Sequence, residues 1–117
     1  MLREADRMHR QFFTLGRGHG GPSWEPPVDI VEDAHALVVR VALPGVPAQA
    51  IIVHTDGARL SIVGERRLAA GRDTTIHRLE IPYGRFERVI DLSPGRYEVI
   101  ARELVDGCLV LALRRFA

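Results

Sequence analysis

The sequence predicts an all-β fold, an antiparallel β-sandwich, on three observations. Apolar and polar residues alternate in several short runs. Turn residues separate these runs roughly every ten residues, as they do in sandwich proteins, and predict about seven or eight strands. Two pairs, Asp56-Gly57 and Asp106-Gly107, stand between apolar runs and mark tight hairpins. A chain of 117 residues, 46% of them hydrophobic, is long enough for one such domain.

The N-terminal part is predicted to be a flexible arm outside the sandwich. Apolar residues within 2–15 fall near one face of a short helix, which would be marginal in water without a partner surface. The glycine-rich stretch 16–22 ends any such helix and is typical of a linker. We therefore assign residues 1–23 to the arm and residues 24–117 to the sandwich domain.

The first strands follow from prolines and from alternation. Pro26 and Pro27 precede residues 28–31 and restrict that run to an edge or irregular strand. Residues 36–43 form the clearest strand, and one of its faces carries four large apolar residues. These are Leu37, Val39, Val41 and Leu43. Pro44-Gly45 ends the strand with residues suited to the central positions of a type II turn.

A long loop separates the middle strands. Asp56-Gly57 joins the runs 51–55 and 59–64 as a hairpin. Residues 65–75 are charged and lack a clear period, and loops of this length in compact domains are usually functional. Alternation resumes at 76–81, which we expect to form a strand. One side of it carries Ile76 and Arg78, and the other carries His77, Leu79 and Ile81.

The chain closes with one further strand and a hairpin. Residues 86–92 alternate, with Phe86, Arg88, Ile90 and Leu92 on one face. After a Ser-Pro-Gly turn, residues 98–105 and 109–113 form a hairpin around Asp106-Gly107, which supplies the positive φ of a tight turn. Val99 and Ala101 are expected to share a face of the first strand. The second strand presents a row of leucines, Leu109, Leu111 and Leu113.

Composition argues against several classes of protein. The net charge is +1 and the arginines are spread along the chain, so we expect neither nucleic acid nor an anionic membrane as partner. No apolar run approaches the roughly 20 residues of a membrane span, and the first residues lack the apolar centre of a signal peptide. The single Cys108 cannot form an internal disulfide, which suits a reducing compartment. We therefore expect a cytoplasmic protein.

Motifs that would indicate catalysis or metal binding are not found. The sequence contains no phosphate-binding loop and no lysine. The five histidines lie at no spacing typical of metal ligands. His54 and His77 could meet across strands, but they lack a third ligand. Neither Ser61 nor Ser93 has a local His and Asp partner. We expect no enzyme activity, no catalytic residues, no cofactor and no bound metal.

Four motifs, in matching order over residues 24–115, resemble the small heat shock protein (alpha-crystallin) family. Residues 36–46 end in Leu-Pro-Gly-Val, and residues 60–66 are similar to the family's Leu-x-Ile-x-Gly-Glu-Arg strand. Gly84, Phe86 and Arg88 match its Gly-x-Phe-x-Arg segment. Ala101 and residues 106–109 resemble its signature of Ala followed by Asn-Gly-Val-Leu, with Asp for Asn and Cys for Val.

The resemblance implies an immunoglobulin-like sandwich, the alpha-crystallin domain, that holds unfolding client proteins without ATP. It also implies the homodimer of the bacterial and plant proteins, in which a strand on the long loop pairs with the other subunit's sheet. That strand would comprise Ile76, His77, Arg78, Leu79, Glu80 and Ile81. Such an exchange satisfies the strand's backbone groups reciprocally, although 76–81 could instead fold back onto its own sheet.

Arg88 aligns with a family arginine that supports the dimer contact through ion pairs. Its position between Phe86 and Ile90 would make an unpaired charge costly. We therefore expect Arg88 to meet a carboxylate near the subunit interface. The alternative is a solvated arginine at a sheet edge.

The sequence departs from the family at its C-terminus. The family usually continues into a tail whose Ile-x-Ile motif fills an apolar groove of a neighbouring dimer and builds large shells, whereas this sequence ends at Ala117. Large shells are therefore not expected, and higher oligomers or hetero-oligomers with related chaperones stay open. The groove is expected between 51–55 and 99–103, where a client segment, the arm or a related tail could bind. Its residues would be Ile52, Val53, Ile100 and Ala101.

The function that the resemblance implies is an ATP-independent holdase of the stress response. Its client-binding residues would lie on the arm, at Met8, Phe12, Phe13 and Leu15. The arm could instead dock on its own dimer. An alternative function is a co-chaperone-type sandwich that binds a chaperone machine, which the long loop and the Gly-Glu-Arg motif disfavour.

Overall fold

Seven strands make up the sandwich in a computed structural model that describes residues 23–68 and 70–117. The predicted arm, apart from Ser23, lies outside the described residues. The strands are β1 (Val28–Glu32), β2 (Leu37–Ala42), β3 (Ile51–Thr55), β4 (Arg59–Arg66), β5 (Gly84–Asp91), β6 (Tyr97–Val105) and β7 (Cys108–Arg115). A single short 3-10 helix among the described residues, Ala48–Ala50, leads into β3.

The strands form two antiparallel sheets, which confirms the predicted fold class. One sheet has four strands in the order β1-β2-β7-β6, and the other has three in the order β3-β4-β5. As the prolines predict, β1 lies at an edge. No helix of the described chain is long and apolar enough to span a membrane.

The core lies between the sheets and contains the faces that alternation predicts. Val39, Val41 and Leu43 are buried on the strand β2 and the turn after it. They pack with the leucine row of β7, which is also buried, because the whole of β2 pairs with residues 108–113 of β7. Removal of these side chains from water is the main stabilising contribution.

A glycine and two aromatic rings close one side of the core. Phe86 of β5 lies against Gly64 of β4, where an added Cβ would come within 2.5 Å of the ring. Trp24 packs on Phe86 with ring centroids 5.5 Å apart, and its Nε1 donates to the Gly84 carbonyl oxygen at 3.3 Å. The glycine of the Gly-Glu-Arg motif is therefore required by close packing.

The two Asp-Gly hairpins form by different means. Asp106 and Gly107 both have positive φ, 49° and 77°, as a two-residue hairpin turn requires. At the other turn only Gly57 has positive φ, and three residues separate β3 from β4. There the Asp56 side chain accepts hydrogen bonds from the backbone N–H groups of Ala58 and Arg59. One Asp supplies a backbone conformation, and the other supplies a side-chain acceptor.

A β-bulge in β6 corrects one expectation from the sequence. Val99 pairs with Leu113, and Ala101 pairs with the neighbouring Ala112, so that Ile100 is an extra residue. Because Leu113 and Ala112 point to opposite sides of β7, Val99 and Ala101 do not share a face. Beyond the bulge Arg102, not Ala101, lies on the inner side.

Residues 76–81 form no strand in the isolated subunit. They belong to the connection between β4 and β5, and they join neither sheet. The alternative that this segment folds back onto its own sheet is therefore not what the subunit does.

Candidate functional site

An arginine holds the two ends of the long loop together. Arg66, the last residue of β4, donates from Nε to the Pro44 carbonyl oxygen at 2.8 Å. Its Nη1 donates to the carbonyl oxygen of Pro82, just before β5, at 3.3 Å. The loop therefore leaves and rejoins the sandwich at a fixed point, next to the turn that follows β2.

The segment 76–81, called the exchange segment from here on, leads directly into this fixed point at Pro82. Its two isoleucines, Ile76 and Ile81, are 50% and 53% exposed. None of its backbone groups makes a hydrogen bond within the described chain. Its one ion pair, Arg78 to Glu80 at 3.4 Å, is largely exposed and therefore contributes little. The segment thus offers apolar side chains and an unpaired backbone.

The edge strand β1 offers the complementary surface. Among the described residues it pairs with β2 alone, so its other side presents N–H and C=O groups that no described strand satisfies. Ile30 and Val31 are exposed on it, and Asp29 and Glu32 add acidic charge. Neither proline nor lysine, two common protections of edge strands, lies within β1 itself.

Arg88 lies where its strand pattern places it, between Phe86 and Ile90 on the inner face of β5. It is half-buried, and its Nη1 lies 3.5 Å from the Pro26 carbonyl oxygen, which accepts a weak hydrogen bond. Within the described residues of a single subunit no carboxylate lies within ion-pair distance of it. Its expected carboxylate partner therefore stays a prediction about the dimer.

A cavity of about 560 Å³ opens between the edge strands β3 and β6. Its apolar walls come from Val53, Tyr97, Val99 and Phe116. Arg102 crosses the gap between the sheets, and its Nη2 donates to the Ile51 carbonyl oxygen at 2.8 Å. Phe116 is held here because its N–H donates to the Arg96 carbonyl oxygen at 2.9 Å.

The cavity contains only part of the predicted groove. Val53 lines it, whereas Ile52 points to the outer face of the three-stranded sheet. Ile100 is the extra residue of the bulge, and Ala101 lies on the outer face of the other sheet. Sequence reasoning missed Arg102 and Phe116, because a bulge changes the alternation without a sequence signal and a terminal residue has no period.

The predicted arm residues Met8, Phe12, Phe13 and Leu15 lie outside the described residues. Among the described residues no group of three or more His, Cys, Asp or Glu side chains is arranged to hold a metal ion.

Three turn carboxylates have perturbed acidity. Backbone N–H groups of Arg59 and Ala58 lower the pKa of Asp56 below its ordinary 3.8. The hydroxyl and the backbone N–H of Ser93 lower the pKa of Asp91 in the same direction. The backbone N–H groups of His35 and Ala36 lower the pKa of Asp33. All three are exposed and lie in turns or, for Asp91, at the end of β5 beside a turn, so they stabilise turns rather than build a reactive site.

Comparison with proteins of known structure identifies the fold. hspA from Xanthomonas axonopodis is 31% identical, with a TM-score of 0.70 over 80% of this chain and 96% of that one. A small heat shock protein from Xylella fastidiosa is also 31% identical, with a TM-score of 0.70 over 82% and 90%. Heat shock protein 16.0 from Schizosaccharomyces pombe is 26% identical, with a TM-score of 0.70 over 80% and 88%.

The family comparison points the same way. Comparison with curated proteins gives no match. The model of the Hsp20/alpha crystallin family matches residues 29–116, which include every strand but the first residue of β1. The chain therefore belongs to the Hsp20/alpha-crystallin family.

Proposed function

We propose that this chain is an ATP-independent holdase that works as a strand-exchanged homodimer and binds partly unfolded proteins. Family membership supports a chaperone role in general. The observation that carries the finer proposal is the exchange segment, which leaves the sandwich with its backbone unpaired and its isoleucines exposed. Its proposed location is the cytoplasm.

In the proposed dimer, the exchange segment of each subunit adds to the edge strand β1 of the other. Two-fold symmetry makes the exchange reciprocal, so both segments and both edges are satisfied at once. The charges favour this edge, because Arg78 would approach the acidic Asp29 and Glu32. Addition of a strand to an exposed edge is a common mode of recognition.

Arg88 is proposed to complete its coordination in the dimer. A half-buried guanidinium with one long hydrogen bond has donors to spare, because a guanidinium carries five N–H donors. A carboxylate of the partner subunit would form the charge-assisted bond that the single subunit does not provide.

Clients are proposed to bind through the apolar arm residues Met8, Phe12, Phe13 and Leu15. Burial of one Phe, about 150 Å² or more at ~25 cal/mol per Å², contributes a few kcal/mol before the cost of ordering. One arm therefore binds weakly, and a client is held only when several arms engage it. Higher oligomers, alone or with related chaperones, would provide them.

The predicted groove residues have a separate part in this proposal. Val53 in the cavity between β3 and β6, with Ile100 and Ala101 exposed on the adjoining strand β6, would bind extended apolar segments of a client or of a related chaperone, whereas Ile52 lies on the outer face of its sheet.

The test is suppression of aggregation. A heat-labile client enzyme is warmed with increasing amounts of the chain, with and without ATP, and light scattering is followed. We expect suppression that does not depend on ATP. Replacement of the four arm residues by Ser in the full chain should abolish it while the circular dichroism melt of the sandwich is retained. No suppression by the parent chain would contradict the holdase, and full suppression by the serine variant would move client binding to the sandwich.

A further inference from the structure

A second cavity, of about 400 Å³, lies on the outer face of the three-stranded sheet. Its apolar floor includes Ile52 and Val63, which are cross-strand neighbours, and its rim carries Glu65 and Arg85. Ile52 is 65% exposed, more than any other large apolar side chain of the described chain. The volume of this cavity is near the lower end of the roughly 300–1,000 Å³ of ligand pockets, so the cavity suits one or two large side chains.

The described chain begins beside this cavity. The backbone N–H of Trp24 donates to the Arg85 carbonyl oxygen at 3.2 Å, and Glu87 N–H donates to the Trp24 carbonyl oxygen at 3.1 Å. Arg85 itself lines the cavity. The preceding 22 residues are therefore tethered at its rim and not at the cavity between β3 and β6.

The tether is short enough to favour one occupant. Phe12-Phe13 precedes Ser23 by about ten residues, a length that spans at most about 36 Å even when fully extended. A segment on so short a link meets a neighbouring site at an effective concentration in the millimolar range. A weak apolar contact, too weak to form between separate molecules, is populated and reversible under these conditions.

We propose that the Phe12-Phe13 pair of the N-terminal arm docks in the cavity formed by Ile52 and Val63 of its own subunit. The pair supplies two aromatic side chains to an apolar floor that nothing in the described chain covers. This docking does not require that the arm bind clients, so it can be tested independently of the proposed holdase activity.

Disulfide trapping in the full chain tests the docking. In a Cys108→Ser background, Thr14→Cys places a thiol next to the intact Phe pair. It is combined either with Gln49→Cys at the cavity or with His35→Cys as a control. Gln49 and His35 are both exposed, and His35 lies in the turn of the other sheet. Oxidation is followed at low protein concentration, and mass spectrometry distinguishes disulfides within one chain from those between chains.

We expect the disulfide to Gln49→Cys to form within one chain at least 10-fold faster than that to His35→Cys. Phe12→Ser with Phe13→Ser should reduce the fast rate to that of the control. Equal rates at the two positions, a fast rate that survives loss of both phenylalanines, or disulfides formed only between chains would each overturn the proposal. The last result would assign the cavity to the arm of a second copy.

Discussion

The strand β7 and the exchange segment carry the same kind of pattern and have opposite environments. In β7, the leucine row Leu109, Leu111 and Leu113 is buried to 1% exposure or less. In the exchange segment, Ile76 and Ile81 are about half exposed, and no ladder forms. Alternation therefore predicts that a segment can be a strand, but not whose sheet it joins.

The difference comes from neighbours. The strand β7 lies between two strands of the same subunit. These are its hairpin partner β6 and the core strand β2. The exchange segment is carried on a loop whose base Arg66 fixes at Pro44 and Pro82. If a second subunit supplies the sheet that the exchange segment joins, substitutions in β7 should lower the stability of the subunit, and substitutions in the exchange segment should weaken the dimer.

The largest expected effect separates core stability from association. Leu111→Ala removes a fully buried side chain and should lower the free energy of unfolding by about 2–5 kcal/mol at every protein concentration. Ile76→Ala, at an exposed position, should change the stability of the dilute subunit by less than about 0.5 kcal/mol. Chemical denaturation over a range of protein concentrations measures both. Equal losses in dilute protein would show that the segment belongs to the subunit's own core.

Two single proline variants at neighbouring positions of the exchange segment sharpen the comparison. Neighbouring residues of a strand point their N–H groups to opposite sides, so only one of Arg78→Pro and Leu79→Pro removes a donor from the proposed ladder with β1. We expect one variant to be monomeric by light scattering and the other to remain a dimer, both with an unchanged sandwich by circular dichroism. If neither variant alters association, strand exchange is not the dimer contact.

Replacement of Arg88, which lies on β5 and is proposed to contact the partner subunit, should have a smaller effect. Arg88→Ala removes the donors of a half-buried charge, and loss of one charge-assisted bond of about 1.5 kcal/mol corresponds to a roughly tenfold weaker dimer. Arg88→Lys keeps the charge and should recover part of the affinity. Sedimentation analysis gives the dissociation constants. An Arg88→Ala dimer as tight as the parent would place this arginine outside the interface.

Acid should produce the smallest effect, and it should act on the sandwich. The pKa of Asp56 is lower in the fold than the ordinary 3.8, so its contribution to stability is present above pH 3.8 and is lost as the pH falls through its native value. Thermal melts from pH 5 to 2 should show a steeper decline for the parent than for Asp56→Asn, whose side-chain oxygen can still accept the turn hydrogen bonds. The control Asp106→Asn makes the same change of charge at the other Asp-Gly turn. An identical decline in Asp56→Asn would contradict the linkage.

Much of the fold could be predicted from the sequence, because the relevant signals are local. Alternation identified the buried faces of β2, β5 and β7, and Asp106-Gly107 specified its own turn. The bulge at Ile100 could not be predicted, since an extra residue between two apolar ones has no distinct sequence signal. The turn at Asp56 forms a hairpin as predicted, but the hydrogen bonds of its side chain require a backbone geometry that the dipeptide Asp-Gly alone does not define.

The site was less predictable because it depends on contacts between distant residues. Arg66 belongs to the Gly-Glu-Arg motif of the sequence, but its hydrogen bonds to Pro44 and Pro82 exist only because the fold brings two turns together. Arg102 reaches across the sandwich to Ile51, from a strand whose phase the bulge has changed. The resemblance predicts that Ile52 and Val53 share one groove, yet adjacent residues of a strand face opposite ways, and the two line different cavities.

Hydrogen exchange at the exchange segment, measured as a function of protein concentration, tests the central claim most directly. If a second subunit supplies the sheet, the amides that pair with it should be protected in concentrated protein and should lose that protection on dilution, while amides of β7 remain slow throughout. Rapid exchange of residues 76–81 at every concentration, or protection that dilution does not alter, would contradict the account.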